Sequence, residues 1–172
     1  MVVRKLLDVL FRISGGLAAV FLVMIALLIL AQSIGRLVGI AVHDANEMAG
    51  FCLAAATFLA LGSSLRAGTH IRVLLVISHL QGTMRRALEM FSLLLATFLA
   101  GYFTYWIADL AHESWSYGDT SPGVLAFPLW IPQAAMVFGL VMLTVALLEA
   151  VFDMACGRNP SYAERETRDL TE

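Results

Sequence analysis

The chain has 172 residues, 60% of them hydrophobic and 14% charged, with a formal net charge of −2 and a mean hydropathy of +0.83. A soluble domain of this size carries about 45–50% apolar and about 25% charged residues, and it has too much surface to hide such an excess in one aqueous core. Lipid is therefore the solvent for much of the chain, and no run of Lys and Arg offers a track for nucleic acid.

About 20 apolar residues of helix cross the hydrocarbon core of a bilayer. Arg4, Lys5 and Arg12 precede the first candidate, an apolar run from Ile13 to Ala31 broken only by Ser14. It is longer than the ~7–15-residue core of a cleaved signal peptide, and no A-x-A pattern follows it. It reads as a retained span at about 13–33. Arg36 to Glu47 is too short and polar to cross, and its Leu37, Val38, Ile40 and Val42 favour the interface. A second span at about 48–65 lies between Glu47 and Arg66.

Residues 69–80 (THIRVLLVISHL) are apolar but too short to span, and His70, Arg72 and His79 punctuate them. A helix lying in the interface fits this pattern, with a buried connector as the alternative. The third span, at about 88–111, is free of charge between Glu89 and Asp109. A fourth, at about 129–152, starts with Pro132 in its first turn, where a missing N–H costs nothing. The tail 157–172 is polar and charge-dense. Backbone groups in lipid must be satisfied within each segment, so all four spans should be helical. The fold class is an all-α membrane protein of four transmembrane helices in a single domain.

Ten of the 11 basic residues fall in the N-terminal segment, the loop between the second and third spans, and the tail; Arg36 alone lies opposite. The loop between the third and fourth spans instead carries Asp109, Glu113 and Asp119. By the positive-inside rule both termini are cytoplasmic. Tyr102, Phe103, Tyr105, Trp106, Trp115, Tyr117, Phe127 and Trp130 gather around that acidic loop, as an interfacial belt should. Small residues recur at i, i+4 spacing in the second span (Ala56, Ala60, Ser64) and the third (Ala96, Ala100, Thr104, Ala108). Such ladders let helices approach closely.

Membrane enzymes and ion-coupled pathways place ionisable groups inside their spans. Here Glu47, Glu89, Asp109 and Glu149 all sit at span ends, and His43, His70, His79 and His112 lie outside the spans. Cys52 and Cys156 fall at different depths, which disfavours a disulfide. The expectation is a non-enzymatic accessory subunit with no cofactor and no metal. Arg66 and His70 are expected to hold the turn after the second span by hydrogen bonds to its last carbonyls, where the helix dipole favours cations.

From Glu47 the sequence reads EMAGFCLAAATFLALGSSLRAGTHIRV: an acidic residue opens a span, a Gly lies near its end, and Arg66, Gly68, His70 and Ile71 follow. With Pro128, Trp130 and Pro132 at the start of the last span, the chain resembles the small membrane subunit of tripartite ATP-independent periplasmic (TRAP) transporters. It departs from the family pattern at Gly50, where members often carry an aromatic or basic residue. The resemblance implies residence in a bacterial inner membrane. It also implies two partners, a large elevator-type membrane subunit and a periplasmic substrate-binding protein, and a scaffold role in sodium-coupled uptake of an organic anion. It makes Glu47, Arg66, Gly68, His70 and Arg72 candidate structural or subunit-interface residues. The alternative is a membrane-anchor subunit of a respiratory enzyme, disfavoured by the lack of His within the spans.

Overall fold

The computed structural model describes residues 2–40, 43–67 and 83–156. These form four helices: α1 (Val2–Leu37), α2 (Ala45–Arg66), α3 (Thr83–Tyr117) and α4 (Trp130–Ala155). All four are long and apolar enough to cross a membrane. Among the described residues there is no strand, only an isolated bridge between Thr120 and Pro128. The interfacial segment at 69–80 and the tail 157–172 lie outside the described residues.

Every helix outruns its apolar window, most of all α1 with 36 residues. At 1.5 Å per residue that is about 54 Å, well beyond a hydrocarbon core of about 30 Å. The added turns have a packing reason. Phe11 is buried against Met142 and Ala146 of α4, with Leu7 and Leu10 beside it. Arg12 does not end the helix, because a long exposed side chain can carry its charge to the headgroups.

α1 and α3 run from the basic end of the molecule to the opposite end, and both stop in the same way. Gly39 (φ 77°) and Gly118 (φ 68°) adopt the left-handed conformation just past the helix. The next amide then bonds back over the last turn, Ile40 N to Gly35 O at 2.8 Å and Asp119 N to Ser114 O at 2.9 Å. This is the Schellman termination that glycine permits without steric cost.

The helices stand in a row. α1 packs on α2, α2 on α4, and α4 on α3, while α1 and α4 touch only lightly. The most apolar stretches of α2 and α4 are 28% and 33% buried, against 11% for both α1 and α3. The inner seam is close enough for backbone to meet backbone. A Cβ on Gly139 of α4 would overlap the carbonyl of Phe58, and one on Gly62 of α2 would lie 3.0 Å from the Met142 backbone and 2.9 Å from the Phe11 ring.

Small and polar residues make the other two contacts. Ser14, fully buried, donates to the Leu59 carbonyl at 2.6 Å and ties α1 to α2. Ala18 packs beside it on Ala55 and Leu59. On α3 the expected ladder turns toward α4: Ala100 is buried with Leu147 and Ala150, and Thr104 Oγ1 lies 3.2 Å from Thr144 Oγ1. Lipid drives no hydrophobic association between helices, so close approach and interhelical hydrogen bonds hold the row.

Candidate functional site

α2 carries one candidate residue at each end, Glu47 in its first turn and Arg66 as its last residue. They lie 19 positions apart, about 28 Å along the helix, so they belong to two different structures. Gly68, His70 and Arg72 lie outside the described residues.

At the basic end Arg66 joins three helices. Its Nη1 donates to Asp8 Oδ1 of α1 at 2.8 Å, and its Nη2 lies 3.1 Å and 3.3 Å from the two carboxylate oxygens of Glu149 on α4. The guanidinium also sits 4.4 Å from the centroid of the Phe11 ring, within cation–π range. Charge-assisted hydrogen bonds of this kind are about twice as strong as neutral ones. Exposure of only 16% for the Arg66 side chain and 20% for Glu149 shields that contact from water, while Asp8 at 57% remains solvated.

The sequence explains the placement. A cation at a helix C-terminus is favoured by the dipole, and Asp8 and Phe11 share one face of α1 at i, i+3. One expectation is corrected. Among the described residues the acceptors of Arg66 are carboxylates rather than the last carbonyls of α2, because ionised oxygens bind a guanidinium more strongly than carbonyls do. Asp8 and Glu149 were not singled out as its partners. An acid set in the basic N-terminal segment, and one closing the last span, were the available signals.

Beside this tie, Asp8, Phe11, Arg12 and Gly15 of α1 and Ser63 and Arg66 of α2 line an open cleft of about 370 Å³. Gly15 allows the close approach at its floor, since a Cβ there would stand 3.3 Å from Ser63 Oγ.

At the opposite end the loop between α3 and α4 folds over the start of α2. Asp44, itself at φ 58°, accepts a hydrogen bond from the Leu125 amide at 2.7 Å. Phe127 stacks on Phe51 of α2 with ring centroids 5.9 Å apart. Within the loop Ser121 N donates to Phe127 O at 2.8 Å, and Leu129 N to Asp119 O at 3.1 Å. Glu47 packs directly beneath this loop, where a Cβ on Gly123 would collide with its carboxylate. Its negative charge also suits a helix N-terminus. Gly50, where the family pattern is broken, faces open space.

Four apolar helices in a row, tied by side chains at their ends, define a multi-pass membrane protein whose charged groups hold helices together. Among the described residues no group of His, Cys, Asp and Glu could hold a metal ion. The family model for the DctQ component of tripartite ATP-independent periplasmic transporters matches residues 24–157, and the chain belongs to that family. It is thus a small TRAP transporter component, in a family of transporter subunits rather than enzymes. A search of curated protein sequences found no match to the chain.

Proposed function

We propose that this chain is the scaffold subunit of its transporter. It supports a large elevator-type membrane subunit during sodium-coupled uptake of an organic anion, which a periplasmic binding protein delivers. The observation that carries this reading is the open row of helices. The two outer helices bury little of their own surface in the chain, and α3 exposes Phe91, Phe98, Tyr102, Phe103 and Trp106 along its length. A broad apolar wall of this kind suits a static support, against which a neighbouring domain can slide. Placement in a bacterial inner membrane rests on membership of the family, and the cytoplasmic side of both termini rests on the ten-to-one distribution of basic residues.

Reconstitution tests the proposal. The chain alone in liposomes should give no anion uptake under a sodium gradient. Uptake should appear with the large subunit and the binding protein, and fall when this chain is omitted. Uptake by the chain alone, or full activity without it, would defeat the scaffold role. Reporters fused after Glu172 and at Gly118 should read cytoplasmic and periplasmic respectively, and reversal would invert the orientation.

A further inference from the structure

The cleft between α1 and α2 stands where the first apolar run begins, since Arg12 is the last charged residue before Ile13. That is headgroup depth in a bilayer. We propose that it is a binding site for one phospholipid with a zwitterionic, primary-amine headgroup of the phosphatidylethanolamine type.

Charge selects the headgroup. The cleft and its tie hold two cations, Arg12 and Arg66, and two carboxylates, Asp8 and Glu149. Arg66 and Glu149 are committed to each other. Arg12 has no ion pair among the described residues, and its planar fork matches a phosphate. Asp8 gives Oδ1 to Arg66 yet stays 57% exposed, so it can also accept from an ammonium. An ethanolamine ammonium carries three N–H donors, whereas a choline headgroup has none to give Asp8. A purely anionic headgroup would leave the Asp8 charge facing a like charge. The volume of about 370 Å³ falls within the range of about 300–1,000 Å³ usual for small-molecule sites.

The helix surface above the cleft offers a track for the acyl chains. Gly16, Ala19 and Val23 follow Arg12 at steps of 4, 3 and 4, which keeps them on one face of α1. A Cβ on Gly16 would meet nothing within 4 Å, and Val23 is 59% exposed. An exposed helix face with a glycine notch next to the headgroup accepts a chain lying against it.

The test uses the full chain, purified in detergent and stripped of lipid. It is titrated separately with phosphatidylethanolamine, phosphatidylcholine, phosphatidylglycerol and soluble glycerophosphoethanolamine. Retained lipid is read by native mass spectrometry, and apparent affinity by thermal shift. Phosphatidylethanolamine should be retained one per chain and bind about tenfold more tightly than the other two lipids, a difference of about 1.4 kcal/mol. Arg12→Gln should remove that preference while the helices still unfold at the wild-type temperature without lipid. Asp8→Asn should narrow the gap between phosphatidylethanolamine and phosphatidylcholine. Equal retention of all three lipids, tighter binding of phosphatidylglycerol, or an unchanged preference in Arg12→Gln would each overturn the site. Soluble headgroup binding as tight as the lipid would assign the cleft to a free metabolite and overturn the lipid reading.

Discussion

The seam between α2 and α4 and the outward face of α3 are both apolar, but they are built on opposite rules. At the seam, Gly62 and Gly139 remove side chains so that backbone meets backbone. On α3, Phe98 stacks on Tyr102, Trp106 meets Tyr102 and Tyr105 edge to face, and all four rings stand at least half exposed. The first surface is specified atom by atom, because a single added methyl collides. The second is large and tolerant, because each ring can be replaced without filling or emptying a space inside the chain. Hydropathy scores these two surfaces alike, and only side-chain volume at the contact separates the internal seam from the surface left for lipid or a partner.

The largest expected effect comes from closing the seam. Gly139→Ala should destabilise the isolated chain toward the upper end of the about 1–3 kcal/mol typical of overpacking, read as a lowered unfolding midpoint in detergent. Gly50→Ala, which faces open space, is the control and should be neutral or stabilising by up to about 1 kcal/mol. Equal losses at the two glycines would remove the distinction between seam and surface.

Next comes the tie that closes the seam at its basic end. Arg66→Ala should cost about 1.5–3 kcal/mol, the range for hydrogen bonds to charged groups. Arg66→Ala combined with Glu149→Ala should cost less than the sum of the two single changes, since the pair couples. Strict additivity in that cycle would show that the contact contributes nothing.

The smallest effect is expected where α3 meets α4. Thr144→Val removes the hydroxyl 3.2 Å from Thr104, and interhelical hydrogen bonds in membranes average about 0.6 kcal/mol. A loss several times larger would mean that α3 is held as tightly as the inner pair. Phe98→Leu on the outward face should leave the isolated chain unchanged. A weaker association with the large subunit in a co-purification assay would then mark that face as an interface.

Much of this architecture is legible in the sequence. The four spans follow from charge-free windows, because lipid leaves a helix as the only way to satisfy the backbone of such a segment. The i, i+4 spacing of small residues on α3 predicts contact with a helix of this chain or of a partner, and Ala100 of that ladder packs on Leu147 and Ala150 of the same chain. The helix ends are harder to read. Arg12 and Glu89 mark the limits of apolar windows, yet α1 and α3 continue through them, since a charged side chain ends a hydrophobic run without ending a helix.

The site divides in the same way. Sequence alone selected Arg66 and Glu47, whose positions at the ends of α2 follow from charge and the helix dipole. Their partners are 58 and 83 residues from Arg66 for Asp8 and Glu149, and no local spacing encodes such a separation. The order of the row, α1–α2–α4–α3, was equally invisible, because hydropathy has no term for which helix lies beside which. Composition and charge determine that a segment enters the membrane and at what depth its ends rest, since transfer to lipid is a property of each segment by itself. Which helices touch is decided only in the fold, by the few places, such as Gly62, Gly139 and Ser14, where side-chain volume and one hydrogen bond fit a particular neighbour.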